Sequence, residues 1–78
     1  MKTVGEILTE VLKAVSADDA LGGLEKAQVL DAMTTIVRSN FSEAGIQRAL
    51  GEFAQKTRVR KYVCEFLFKT GHASAVRP

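Results

Sequence analysis

Apolar residues recur at intervals of three and four along nearly the whole chain, and glycine or asparagine breaks the pattern at only a few places. Such spacing lines them up on one stripe of an α-helix, and it constrains the fold more than any other feature. Val4, Ile7, Leu8, Val11, Leu12 and Val15 form the first stripe. Thr3 and Glu6 in front of it make a capping-box pair, so a helix is expected over about 4–15. Ser16 and Asp19 offer a second cap, but Gly22-Gly23 closes anything begun there, and 17–21 is a helical turn at most. Leu30, Met33, Ile36 and Val37, with Val29 at the edge, predict a helix over 24–39 that Asn40 ends.

Ser42 caps a third helix, 43–56, striped by Ile46, Ala49, Leu50, Phe53 and Ala54. Phe41 and Ile46 flank that cap as a hydrophobic staple. Val59, Tyr62, Val63, Phe66 and Leu67 predict a fourth helix, stopped at Gly71. Residues 59–68 are also rich in β-branched and aromatic types, which leaves a strand as the alternative. The expected fold is therefore all-α: a small four-helix bundle, orthogonal or irregular, forming a single domain over 1–71. A frayed tail, 72–78, is expected to follow.

At 78 residues the chain is short for a self-sufficient core. Surface scaling buries only about 60% of the unfolded surface at this size, so self-association into a homodimer is the expected supplement. One cysteine forms no internal disulfide, and Cys64 with His72 alone builds no metal cage. A reducing cytoplasm is the expected compartment. No apolar run approaches the length of a membrane span, and the start Met1-Lys2-Thr3-Val4-Gly5-Glu6 is unlike a secretory signal.

Charge is unevenly spread. Residues 1–39 carry four Lys or Arg against six Asp or Glu, a balance of −2; residues 40–78 carry seven against three, a balance of +4. Phe53 to Tyr62 holds Lys56, Arg58, Arg60 and Lys61 with no anion between them. Such a cluster suits a polyanion or an acidic protein face. Groups for catalysis are scarce. His72 stands beside a glycine in the expected tail, Cys64 has no base next to it, and Asp18-Asp19 has no further ligand-type residue nearby. The expectation is a non-enzyme with no cofactor, no metal and no small-molecule substrate.

Residues Phe53-Ala54-Gln55-Lys56-Thr57-Arg58-Val59-Arg60-Lys61-Tyr62-Val63, and less closely the stretch to Leu67, resemble the helix-turn-helix element of small DNA-binding regulators. The resemblance implies that Ala54 lets two helices approach, that Thr57 to Val59 form the turn, and that Val59 anchors it. It also implies that Arg58, Arg60 and Lys61 open a helix lying in the major groove. The position that glycine fills in that family's turn is Arg58 here.

At 100° per residue, Val59, Val63, Phe66 and Leu67 share one face of the last helix, and Cys64 and Phe68 fall outside it beside Arg60 and Lys61. Three functions follow. The first is a regulator that binds double-stranded DNA as a dimer through the basic corner 56–61. The second is an adaptor or inhibitor, of the kind carried by phages and mobile elements, that uses the same face against an acidic or nucleic-acid-binding protein. The third is a self-assembling subunit that needs only its apolar faces. The candidate binding residues are Lys56, Arg58, Arg60, Lys61, Glu65 and Phe68.

Overall fold

In the computed structural model, which describes residues 1–75, the chain forms four α-helices and a short 3-10 turn. The helices are α1 (Val4–Ala17), α2 (Gly23–Arg38), α3 (Glu43–Glu52) and α4 (Thr57–Lys69), and the turn is Ala73–Ala75. No strand occurs among the described residues, so 59–68 is helix and the molecule is a small four-helix bundle.

Local chemistry sets the helix starts. The Thr3 hydroxyl accepts from the Glu6 N–H at 3.1 Å, and the Glu6 carboxylate accepts from the Thr3 N–H at 3.1 Å, completing the capping box. At α2 only half of such a box exists. The Glu25 carboxylate accepts from the Gly22 N–H at 3.0 Å, and glycine has no side chain to return the bond. Ser42 caps α3 by accepting from the Gly45 N–H at 3.0 Å. α4 opens on Lys56 with no side-chain cap.

α2 and α4 end alike, each in a Schellman motif. After α2, the Asn40 N–H donates to the Val37 carbonyl at 3.0 Å and the Phe41 N–H to the Ile36 carbonyl at 3.0 Å. After α4, the Gly71 N–H donates to the Phe68 carbonyl at 3.1 Å and the His72 N–H to the Leu67 carbonyl at 2.8 Å. Phe41 itself has φ 57°, a strained value for a bulky side chain that costs about 1–3 kcal/mol. Its ring lies 4.4 Å from His72 and 5.8 Å from Phe66, centroid to centroid, stacked on both. Aromatic contacts of about 0.5–1.5 kcal/mol each are of the size that offsets that strain.

Over its described part the stretch after α4 is placed against the bundle. His72 joins the stack, Ala73–Ala75 folds back onto α4, and the Ala75 carbonyl accepts from Gln47 Nε2 at 3.3 Å. Residues 76–78 lie outside the described residues.

One core cluster draws on every helix. α2 runs through its middle, packing on α3, α4 and α1, and α4 packs on α2, α1 and the 3-10 turn. Being flanked on several sides turns α2 relative to the periodicity. Val29, Ala32, Met33 and Ile36 are buried, whereas Leu30 and Val37, placed in the core by their spacing, are exposed. Leu21, outside any helix, is buried with them. α3 stops at Glu52 rather than 56, because the buried face of α4 reaches the core only if the chain turns at 53–56. Ala54 is fully buried in that turn, and Gln55 Nε2 donates to the Gly51 carbonyl at 2.7 Å, satisfying the helix end.

The single chain closes this core. Its accessible area, 4888 Å², is near the roughly 4,600 Å² that scaling gives a monomer of this mass. Its radius of gyration, 11.3 Å, is near the roughly 11.5 Å of a lone domain this long. Burial alone calls for no second copy.

Gly45 is where α3 comes closest to the end of α2. A Cβ there would stand 2.0 Å from Ser39 Oγ and 2.3 Å from Ser39 Cβ, too close to the backbone for a rotamer change to relieve. Gly45→Ala is expected to destabilise the fold by about 1–3 kcal/mol in urea unfolding, the range for overpacking. An unchanged midpoint would contradict this packing.

Candidate functional site

α4 divides into two faces. Val59, Tyr62, Val63, Phe66 and Leu67 point into the core. Opposite them, Thr57, Lys61, Cys64 and Phe68 follow at intervals of four, three and four, which aligns them along one outer ridge. Phe68 is 71% exposed, far more than any other aromatic residue among those described, and Cys64 is half-buried beside it. Lys61, Cys64, Glu65, Phe68 and Ala73 line a shallow open groove between α4 and the 3-10 turn.

Three of the six candidate residues meet in this groove: Lys61, Glu65 and Phe68. Glu65 also pairs with Lys69 at 3.1 Å. The other three, Lys56, Arg58 and Arg60, surround the N-terminal end of α4. Lys56 is its exposed N-cap residue and Arg60 is half-buried. Arg58 and Arg60 diverge by about 200° around the helix, so they do not share one patch. Arg58 reaches toward Asp18 Oδ2, 3.7 Å away. Among the described residues, Lys56, Arg60 and Lys61 take part in no ion pair.

Asp18 anchors that end of α4 to the α1–α2 corner. Its Oδ2 accepts from the Tyr62 hydroxyl at 2.6 Å, and its Oδ1 accepts from the Ala20 N–H at 2.9 Å. These bonds, the one from Tyr62 first, hold the Asp18 carboxyl below its ordinary 3.8. The same bond, assisted by burial, pushes the Tyr62 phenol above its ordinary 10.0. Asp18, the residue that closes α1, thus serves as a turn and tether rather than an N-cap. Spacing alone gives no hint of it, since 44 residues separate Asp18 from Tyr62. Burial pushes the Cys64 thiol up, against the lesser pull of Arg60.

The stretch that resembles a helix-turn-helix has a shifted register. The connection is Phe53 to Lys56, and Thr57, Arg58 and Val59 already belong to the first turn of α4. Arg58 is helical, without the positive φ that a glycine position would require. Val59 is buried, and α3 packs chiefly on α2. No helix among the described residues is long and apolar enough to cross a membrane. The groove also takes in Ala73, which the expectation of a frayed tail leaves out.

Comparison with family models, curated proteins and solved structures finds no significant match for the chain.

The Asp18–Tyr62 bond makes stability depend on pH in two directions. The contribution of Asp18, whose folded value is depressed, is present above its ordinary 3.8 and is lost as pH falls through the depressed value. The contribution of Tyr62, whose folded value is raised, is present below its ordinary 10.0 and is lost as pH rises through the raised value. Tyr62→Phe is expected to lower the neutral-pH thermal midpoint by several degrees and to flatten both arms. Melting curves across pH check this, and a variant that melts like the parent at every pH would show the bond to be idle.

Proposed function

We propose that this protein is a non-enzymatic binding module that docks another protein on the outer face of α4, as an adaptor or an inhibitor. The observation that carries the reading is Phe68. It is a large aromatic side chain, 71% exposed, lining a groove whose other walls are aliphatic stem, thiol and methyl as much as charge. Aromatic anchors ringed by polar side chains are what protein interfaces use for most of their binding energy. The flanking charges are of both signs, Lys61 and Lys69 with Glu65 between them. A mixed rim suits protein better than a phosphate backbone, which Glu65 would repel.

A second reading, duplex DNA, rests on the other end of the helix. α4 starts at Lys56-Thr57-Arg58 with no side-chain cap and no acidic residue in its first turn, so open amides and cations coincide. Both features favour phosphate. Asp18 beside Arg58 counts against it by neutralising one of those cations.

Two measurements separate the readings. Anisotropy with a labelled random duplex is run at about 50 and about 200 mM salt, a range over which several phosphate contacts lose about a thousandfold in affinity. The protein-binding reading expects no such salt-sensitive binding. In parallel, cognate-cell proteins retained by the immobilised chain are compared with those retained by Phe68→Ala, whose fold is checked by circular dichroism. Specific retention lost with Phe68 supports the reading; retention indifferent to Phe68, with tight low-salt DNA binding, contradicts it.

A further inference from the structure

From the charge pattern around the groove we infer the class of partner it takes: an amphipathic helix of another protein, carrying an apolar anchor and acidic side chains about two helical turns away from it. The inference rests on the protein-binding reading and adds to it the shape, charge and orientation of the occupant.

The shape follows from the ridge. Thr57, Lys61, Cys64 and Phe68 repeat at intervals of four, three and four, the spacing of the seam along which two helices pack. A helix laid along that ridge would keep contact over several turns, with Ala73 of the 3-10 turn forming the far wall. An extended strand would have no sheet edge to join among the described residues, which include no strand.

The charge follows from what is already neutralised. At the Phe68 end, Glu65 and Lys69 satisfy each other at 3.1 Å. On the far side, Arg58 leans on Asp18. Lys61, on the ridge itself, is left without an ion pair among the described residues; so are Arg60 and Lys56, but they lie about 100° or more round the helix from it. An incoming surface that covers Phe68 therefore meets an apolar, charge-balanced end and, at Lys61, a cationic one. Lys61 lies seven positions before Phe68, about 10 Å along the helix, and that sets the distance between anchor and acid on the partner.

A second copy of this chain fits less well. Two α4 ridges laid parallel would face Lys61 with Lys61. Laid antiparallel, they would set Lys61 of each copy against the charge-balanced end of the other, where Glu65 is already held by its own Lys69. Neither arrangement supplies Lys61 with a free acidic partner, and the monomer already closes its core. Duplex DNA fits the groove less well still, because Phe68 and Glu65 would confront phosphate.

The test is selection from a displayed library of helical peptides, randomised over one face, against the immobilised full chain. The expected winners carry an aromatic or aliphatic anchor with Asp or Glu about two turns away. Their affinity should fall about tenfold or more with Phe68→Ala and with Lys61→Glu, both folded by circular dichroism. Replacing the peptide's acidic residue by Lys should restore binding to Lys61→Glu. Winners that need Phe68 but carry neutral or basic residues at that spacing would overturn the acidic-partner inference and leave the binding surface standing. Winners indifferent to Phe68, or no enrichment at all, would overturn both. Sedimentation showing a Phe68-dependent dimer would overturn the inference in favour of a second copy.

Discussion

Everything that faces outward on this molecule depends on how α4 is buried. Val59, Tyr62, Val63, Phe66 and Leu67 are all at or below 8% exposure, and they lock the helix against α1 and α2 in a single rotational setting. Burying five such side chains is worth on the order of 8–15 kcal/mol before entropy, far more than any single surface contact. The helix cannot roll to hide Phe68 without exposing two or three of these. Phe68 is therefore left outside as a consequence of core packing, and Lys61 is left outside with it.

The ends of α4 are held by different means. At its start, Asp18 ties Tyr62 to the α1–α2 corner through one short bond and keeps Arg58 close. At its end, the Schellman turn brings His72 onto Phe41, which in turn lies on Phe66. The strained backbone of Phe41 is kept because its ring fills the gap between two helix termini. The same stack places Ala73 as a wall of the groove, so a strained residue after α2 helps shape a surface on α4. The link runs from local backbone geometry through ring packing to the candidate site.

Where the sequence was legible, it was legible through local rules. The 3-4 spacing places four helices, Thr3 and Ser42 cap two of them, and Gly71 stops the last. The 100° rule also puts Phe68 outside the stripe of α4, so this surface is legible in the sequence. What stayed hidden was long-range. The inward face of α2 shifts from Leu30 and Val37 toward Val29 and Ala32 because three other helices press on it, and no window of sequence contains them. The end of α3 at Glu52 is set by where α4 must enter the core, not by a helix breaker. The Asp18–Tyr62 bond and the Phe41–His72 stack each join residues far apart in the chain. Within the candidate site, Lys61, Glu65 and Phe68 come together because one helix carries them; Arg58 departs because Asp18 draws it away.

Phe68 belongs to the surface and has no structural duty, which leaves it free for a partner. Equilibrium unfolding and sedimentation of Phe68→Asp beside the parent chain put this to the test. Both chains should be monomeric at every concentration, with the variant's stability within about 0.5 kcal/mol of the parent's, as for an ordinary surface substitution. A loss of about 2 kcal/mol or more, or a parent whose stability rises with concentration while the variant's does not, would contradict it and return Phe68 to a core, its own or a shared one.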